Sequence, residues 1–339
     1  MRAALSLAAA ALLGGCAGLQ PPVGTALQRP TIGTHRAQCP CLYVTNVSNA
    51  SVTVYAFGAT GNMKPIQDIG GPRTGLTHPH DVAVDRDGNV YVVNIAPASV
   101  TVYPGGATGN VKPIRTIRGP NTALAEPSGI VIDPTTGNLY VSNITGGPFR
   151  NGSITVYGPR SKGDVAPLRD IAGPNTALGH PNCLVLDPSG NVGVTNVLLG
   201  NGYQQAWLTF YAAGSTGNVA PTRVIKGALT KLDLPTQIAL DSNLNTYIAN
   251  FNGVSVTTYA PGASGNVAPL REIKGPRAKL GGPLGLALDN TGNIYVASGF
   301  ARNSHITVYG AGSNGNVRPI KRIEGTKTGL DFPQGIAIH

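Results

Sequence analysis

From residue 42 onward the chain is a tandem repeat, and this feature constrains its fold more than any other. Each unit opens on a proline, and successive opening prolines are 48, 54, 54, 48 and 50 residues apart, at Pro79, Pro127, Pro181, Pro235, Pro283 and Pro333. Every unit contains four short runs rich in β-branched and aromatic residues. Gly-Asn turn signals separate the first run from the second and the third from the fourth, so each unit predicts four antiparallel strands.

The two ends of the repeat region complement each other. The region starts with the second, third and fourth runs of a unit and ends on a first run alone, Gly335–Ile338. Five complete units and one split unit predict an all-β fold, a six-bladed β-propeller with four-stranded blades over residues 42–339. We expect the C-terminal strand to pair with the N-terminal blade segment, because closing the ring removes exposed sheet edges.

Composition agrees with a β fold and excludes some partners. The 46 glycines and 27 prolines disfavour helix interiors, and a hydrophobic fraction of 41% is ample for a packed core. The net charge of +10 is spread over scattered residues, the longest basic run being Lys321-Arg322. Nucleic-acid interfaces cluster their basic residues, so we expect no nucleic-acid partner.

The N-terminus has the features of an export signal. Arg2 precedes an apolar stretch that reaches Leu13, followed by Gly14-Gly15-Cys16. This ending resembles the lipobox of bacterial lipoproteins, in which the cysteine is lipidated after cleavage; plain secretion is the alternative. We therefore expect a signal peptide over residues 1–15, lipidation of Cys16, and a flexible tether over residues 16–41. Ala17, a non-acidic residue after the cysteine, indicates the outer membrane.

Three segments carry a family resemblance. The phrases PSGIVIDPTTGNLYVSN and GPLGLALDNTGNIYVAS resemble NHL repeats, and GASGNVAPLREIKGP is similar to NHL-like propellers of secreted bacterial proteins. The resemblance covers residues 42–339. It implies a propeller but no single activity, since such propellers include binding scaffolds, lactone hydrolases, a peptide-amidating lyase and a streptogramin lyase.

The repeats separate recurring residues from exceptional ones. An aspartate follows the first run in five units (Asp85, Asp133, Asp187, Asp241 and Asp289), and an asparagine closes the second run in five (Asn46, Asn94, Asn143, Asn196 and Asn250). A basic residue recurs in the fourth run at Arg115, Arg169, Arg223, Arg271 and Lys321. Because these residues recur, we interpret them as structural, the basic residues protecting outer strand edges.

Residues around the opening prolines differ between units and predict a site at the channel mouth. His78, His80, Asp81, Glu126, His180, Asn182 and Cys183 gather on three successive blades. Imidazole and carboxylate groups are ligands for zinc-like ions, and the amidating lyase of the resembled family holds a metal in its channel. We therefore expect a possible divalent metal, zinc or calcium, at His78, His80, Glu126 and His180. The alternative is that these are polar groups at a wet channel mouth.

The links between second and third runs lie on the same face and vary in length. The longer ones, Ile144–Gly152, Val197–Trp207 and Gly299–His305, contain aromatic and basic residues suited to contacts. The predicted binding face comprises Asp81, Asn182, Phe149, Arg150, Tyr203, Trp207, Phe300, Arg302 and His305. For Trp207 the alternative is that it starts a strand and covers the blade.

Cysteine positions make a bridge to Cys183 improbable. Cys39 and Cys41 precede the second run of the split blade, whereas Cys183 begins a first run on a blade roughly opposite.

Two functions remain open. The first is a non-catalytic scaffold that binds a protein or glycan in the cell envelope, with membrane contact through the lipid anchor only. The second is a metal-assisted hydrolase or lyase acting at the channel mouth.

Overall fold

The chain forms a ring of six four-stranded antiparallel sheets. The computed structural model describes residues 41–339 apart from 149, 201–202 and 300–303, and the side chains of 199, 200, 203 and 204 are also outside the description. The predicted all-β, six-bladed propeller is confirmed.

Each blade starts on its opening proline at the ring axis and runs outward. Blade 1 holds β4 (Pro79–Val84), β5 (Val90–Asn94), β6 (Ser99–Tyr103) and β7 (Arg115–Ile117). Blade 2 holds β8 (Pro127–Ile132), β9 (Leu139–Asn143), β10 (Ser153–Tyr157) and β11 (Arg169–Ile171). Blade 3 holds β12 (Pro181–Leu186), β13 (Val192–Gly200), β14 (Tyr203–Tyr211) and β15 (Arg223–Lys226).

The second half of the ring follows the same plan. Blade 4 holds β16 (Pro235–Leu240), β17 (Thr246–Asn250), β18 (Ser255–Tyr259) and β19 (Arg271–Lys274). Blade 5 holds β20 (Pro283–Leu288), β21 (Ile294–Ser298), β22 (His305–Tyr309) and β23 (Lys321–Glu324). Blade 6 joins both ends of the described chain, with β24 (Pro333–Ile338) beside β1 (Cys41–Asn46), β2 (Ser51–Ala56) and β3 (Gln67–Gly70).

The ends of the chain meet in blade 6. Strand β24 pairs antiparallel with β1, with Tyr43 opposite Ala337 and Val44 opposite Ile336. The inner strands contact their neighbours in the cycle β4, β8, β12, β16, β20, β24 and back to β4. Within the described ranges, the links between blades contain three single-turn 3-10 helices, Pro120–Thr122, Pro174–Thr176 and Ala228–Thr230. No helix among the described residues is long and apolar enough to cross a bilayer.

The hydrophobic core is divided among the six blade-to-blade contacts. Each of six buried clusters combines residues of two neighbouring blades. A fully buried tyrosine is the last or second-to-last residue of the third strand in every blade, and its hydroxyl donates a hydrogen bond to a backbone carbonyl of the preceding link. These tyrosines are Tyr55, Tyr103, Tyr157, Tyr211, Tyr259 and Tyr309. Burial of their hydroxyls is tolerated because each has a partner.

The recurring polar residues have structural roles, as their repetition predicts. Asp85 Oδ1 accepts hydrogen bonds from the backbone N–H groups of Asp87 and Asn89, which closes the tight turn. Asn94 is fully buried, and its Oδ1 accepts from the N–H of Thr77 at 2.9 Å. Arg115 donates to the hydroxyl of Tyr91 at 2.7 Å, so this basic residue of the outer strand also bonds to the second strand of its own blade.

A second recurring contact joins each blade to the next. The outer strand of one blade forms a parallel bridge with a turn glycine of the next, as Ile69 does with Gly109. The residue after that glycine then accepts a hydrogen bond from a backbone N–H of the preceding link, at 2.7 or 2.8 Å. We call these six acceptors the clamp residues: Asn62, Asn110, Asp164, Asn218, Asn266 and Asn316. Besides shaping a turn, each therefore fastens neighbouring blades together.

Candidate functional site

The ring axis is narrow and lined by the second residue of each inner strand. The residues at this position surround a cavity of about 20 Å³, together with Gln237: His80, Ser128, Asn182, Thr236, Leu284 and Gln334. A space of this size holds one or two water molecules. It is too small for an organic substrate, whose pockets usually measure several hundred Å³.

A chain of hydrogen bonds crosses three blades at this level. His80 Nδ1 lies 2.9 Å from the carbonyl oxygen of Ser128 and 3.2 Å from its Oγ. Ser128 Oγ donates to Asn182 Oδ1 at 2.8 Å. Because that hydroxyl proton is used, Nδ1 of His80 is the donor to the Ser128 carbonyl. Burial lowers the pKa of His80 to about 4, so its imidazole is neutral at pH 7.

The third residues of the inner strands form the next layer along the ring axis. This position is glycine in three blades, Gly129, Gly285 and Gly335, and carries a side chain in Asp81, Cys183 and Gln237. Asp81 Oδ2 accepts from the N–H of Ile130 at 3.1 Å and from the thiol of Cys183 at 3.7 Å. Asp81 Oδ1 is buried with no hydrogen-bond partner. Sequence reasoning placed both residues at the channel mouth but missed their contact, since they belong to blades 1 and 3.

Burial changes the acid–base chemistry of this pair. Burial raises the pKa of Asp81 to about 7. Burial also raises the pKa of the Cys183 thiol, and the negative charge of the Asp81 carboxylate raises it further. Cys183 is a free thiol that is 2% exposed. A protonated, enclosed thiol is a poor nucleophile and a poor metal ligand.

The four residues expected to share a metal ion do not come together. His78, Glu126 and His180 precede opening prolines and all have left-handed backbone φ angles of 49°, 50° and 44°. They lie on different blades, and His78 and Glu126 are exposed. His80 instead faces the channel and bonds to Ser128. Among the described residues, no three His, Cys, Asp or Glu side chains are grouped to hold a metal, which corrects the predicted zinc or calcium site.

Several residues of the predicted binding face are buried. Trp207 is 8% exposed, its Nε1 donates to the carbonyl of Ala177 at 2.8 Å, and Lys226 Nζ lies 4.9 Å from its ring centroid. It therefore covers the blade, as the alternative interpretation held. His305 and Asp81 are each 2% exposed. None of the three lies on an open surface, because each belongs to a strand within the packed ring.

The remaining members of that face have different outcomes. Arg150 is exposed, and Asn182 is half-buried at the channel. Tyr203 is the first residue of β14, but its side chain lies outside the described residues, as do Phe149, Phe300, Arg302 and the lipidation candidate Cys16. Predictions for those residues stay predictions.

The longest link is a strand extension, whereas a loop was expected over Val197–Trp207. Strands β13 and β14 are nine residues each, compared with five or six for their counterparts. Val197, Leu198, Leu199 and Gly200 pair with Ala206, Gln205, Gln204 and Tyr203 in unbroken register. The neighbouring strands end earlier: the pairing of β12 with β13 stops at Asn196, and the pairing of β15 with β14 stops at Trp207. We call residues 197–206 the blade 3 hairpin; apart from the Val197 N–H, which donates to the carbonyl of Gly179 at 2.9 Å, its outer backbone edges have no strand partner in the described register.

Solved structures of similar shape come from several different proteins. A protein of unknown function from Bacteroides caccae matches with a TM-score of 0.63 and 12% identity, over 88% of this chain and 98% of that one. A candidate 6-phosphogluconolactonase from Bacteroides uniformis matches with a TM-score of 0.57 and 12% identity, over 88% and 99%. A Lactobacillus plantarum protein matches with 0.54 and 11%, over the same shares.

These likenesses establish the class of protein, a six-bladed β-propeller, and nothing finer. At such low identity the activity of a structural neighbour does not carry over. No protein-family model matches the chain. No curated protein matches its sequence significantly.

Proposed function

We propose that this chain is an NHL-like propeller lipoprotein of the bacterial cell envelope that binds a protein partner through the blade 3 hairpin and performs no catalysis. The observation that supports this proposal is the length of the hairpin, which extends past the neighbouring strands of its blade. Beyond Val197, its two outer edges offer backbone donors and acceptors to an added strand. This mode of binding favours a protein over a glycan, which has no strand to add.

The base of the hairpin is held by side-chain contacts, which lower the entropy cost of binding. Trp207 packs under it, and Lys226 Nζ donates to Gln205 Oε1 at 3.1 Å. Leu198 is 44% exposed on the hairpin and supplies an apolar contact. The narrow channel and the enclosed, protonated thiol of Cys183 support a role without catalysis.

Location in the envelope is part of the proposal. The apolar N-terminal stretch followed by Cys16 supports export, lipidation and retention at a membrane, with the outer membrane favoured by Ala17. A Cys16→Ser variant is then expected to leave the membrane fraction while keeping the propeller folded.

Site-specific photo-crosslinking tests the binding surface. A photoreactive phenylalanine analogue is introduced at Leu198 in one variant and at Leu244 in another. Leu244 is a matched control, because it is 39% exposed but lies in the tight turn between β16 and β17 on the opposite face. We expect a discrete protein adduct in envelope preparations from the Leu198 position only.

A loop exchange decides whether the hairpin is required. Residues 197–206 are replaced with the four-residue link Ile95–Ala98 of blade 1, which preserves the blade. Loss of the adduct partner from co-purification is expected. Equal adducts at both positions, or retention on isolated cell-wall glycan that is unchanged by the exchange, would contradict the proposal.

A further inference from the structure

A large cavity lies on the opposite face of the ring, between blades 1 and 2. Its volume is about 820 Å³, within the range usual for small-molecule sites. Tight turns of both blades surround it, and we call it the blade 1–2 groove. Its apolar lining includes Val84, Ile132, Pro134 and Pro159.

Three cationic side chains line this groove at positions where the repeats differ. Arg86 stands where the other complete units have proline, serine or asparagine. Arg160 stands where the other five blades have glycine, and Lys162 where they have threonine, serine or asparagine. The fold itself therefore does not require a cation at any of the three positions, although all three meet at one cavity.

These cations are exposed and uncommitted. Arg86, Arg160 and Lys162 make no ion pair or side-chain hydrogen bond within the described part of the chain, where the ion pairs are Lys231–Glu272 and Arg322–Glu324. Arg115 differs from them, since it is bound to the Tyr91 hydroxyl and the Pro159 carbonyl and so joins the two walls.

The acidic residues of the groove are mostly occupied by its turns. Asp85 accepts from the N–H groups of Asp87 and Asn89 and from the Tyr91 hydroxyl. Asp133 accepts from the N–H of Thr135 and from Thr136 Oγ1. Of the lining acids, Asp87 alone has a carboxylate without such a bond among the described residues. Counting Arg115, the groove is lined by four cations and three carboxylates, which leaves a net positive charge; three of the cations are uncommitted, so the groove favours an anion.

We propose that the blade 1–2 groove binds a small organic anion. The apolar body of the ligand lies on Val84, Ile132, Pro134 and Pro159, and its carboxylate, sulfonate or phosphate group is held by Arg86, Arg160 and Lys162. Charge-assisted hydrogen bonds from arginine to such groups are among the stronger polar contacts in proteins. The site is on the face opposite the blade 3 hairpin and does not rest on the function proposed above.

Two fluorescent probes with the same aromatic body test both parts of the proposal. 8-Anilinonaphthalene-1-sulfonate carries an anionic group, whereas N-phenyl-1-naphthylamine lacks it. The full-length chain is titrated with each. We expect saturable binding of the sulfonate at one site, at least tenfold tighter than the neutral probe and weakened by added NaCl.

Variants locate the site without disturbing the fold. Arg160→Gly with Lys162→Thr installs residues that other blades carry at these positions, and it should weaken sulfonate binding about tenfold or more. Lys64→Ala with Arg318→Ala is the matched control, because it removes the same charge at positions outside the groove where three blades have alanine. This control should bind like the unchanged protein.

Three results would overturn the proposal: no saturable sulfonate binding, equal affinity for the neutral probe, or equal weakening in both double variants. The last would indicate a general effect of net charge. Circular dichroism of each variant shows whether the fold is kept, so that loss of binding is not confused with unfolding.

Discussion

The Asp81 carboxylate of blade 1 lies 3.7 Å from the Cys183 thiol of blade 3, although blade 2 stands between them. They meet because the intervening residue at this level is Gly129. A Cβ atom on Gly129 would lie 2.7 Å from Cys183 Cα and 2.8 Å from Ser142 Oγ. The inner strands can therefore approach the axis closely only where a side chain is missing from a neighbour.

Gly129→Ala should destabilise the ring by about 1–3 kcal/mol, the usual cost of overpacking a rigid core. The added methyl group would also meet the backbone carbonyl of Asn182 at 3.0 Å, so the clash cannot be relieved by a side-chain rotation alone. Urea unfolding monitored by circular dichroism measures the change in the free energy of unfolding.

Gly310→Ala is the matched control for that substitution. Gly310 has no atom within 4 Å of its would-be Cβ and no positive φ, so a change near zero is expected there. Equal stability of the two variants would show that the inner strands are not tightly packed at Gly129.

The pH dependence of stability provides a second prediction, since the two channel residues act in opposite directions. Burial raises the pKa of Asp81 to about 7, above its value in the unfolded chain, so Asp81 stabilises the fold below about pH 4 and that contribution is lost as pH rises towards 7. Burial lowers the pKa of His80 to about 4, so stability from His80 is present above about pH 6.5 and is lost as pH falls towards 4. The two slopes largely cancel in the unchanged protein.

Single substitutions should separate these slopes. Between pH 4.5 and 6.5, Asp81→Asn should become more stable as pH rises, by up to ~1 kcal/mol per pH unit, while His80→Gln should become less stable by a similar amount. Urea unfolding at four pH values measures both trends. Parallel curves for the two variants would contradict the assigned protonation states.

Most of the architecture could be predicted from the sequence because the blades repeat. Turn residues such as Asp85 and strand ends such as Asn94 recur at fixed positions, and recurrence at fixed spacing reports local structure. The blade 3 hairpin could not be predicted in this way. Residues 197–206 have no counterpart in another blade, so nothing in the repeat distinguished a paired extension from an irregular loop.

The clamp residues lead to a third prediction, about the contact between neighbouring blades. Asp164 Oδ1 accepts from the backbone N–H of Asn121 at 2.7 Å, where the other five clamp residues are asparagines. Asp164 Oδ2 also accepts from Asn121 Nδ2 at 2.9 Å, so Asp164→Ala loses two hydrogen bonds and should cost about 1–3 kcal/mol. Asp164→Asn keeps the acceptor of the backbone bond and should lose at most the side-chain bond, about 1 kcal/mol. Thermal unfolding compares the two variants, and equal losses would mean that the charge of Asp164, not its hydrogen bond, supports the contact.

Contacts between blades explain why the candidate sites were harder to predict than the fold. Asp81 and Cys183 are 102 residues apart in sequence and meet through a glycine. His78, Glu126 and His180 were grouped because their positions are equivalent, yet equivalent positions on successive blades are spread around the ring axis. Arg160 and Lys162 did carry a usable signal, because both break the repeat within one turn.

A final prediction concerns Gly193 and Phe210, which face each other across β13 and β14. Blades 1, 2, 5 and 6 have a tyrosine and a valine at this pair, as in Tyr91 opposite Val102. In blade 3 the Phe210 ring occupies the space of the missing tyrosine, with the Arg223 guanidinium 3.5 Å from its centroid. A Cβ on Gly193 would lie 2.9 Å from Phe210 Cε1.

The two residues should therefore be coupled in a double-mutant cycle. Gly193→Tyr alone should destabilise the blade by about 1–3 kcal/mol through overpacking, and Phe210→Val alone by about 2 kcal/mol through the cavity it leaves. The double variant restores the pair found in other blades and should recover most of both losses, a coupling of about 1–3 kcal/mol. Chemical unfolding of the four proteins measures it. Additive losses would show that Phe210 does not substitute for the tyrosine, and that its stacking under Arg223 is the contact that blade 3 needs.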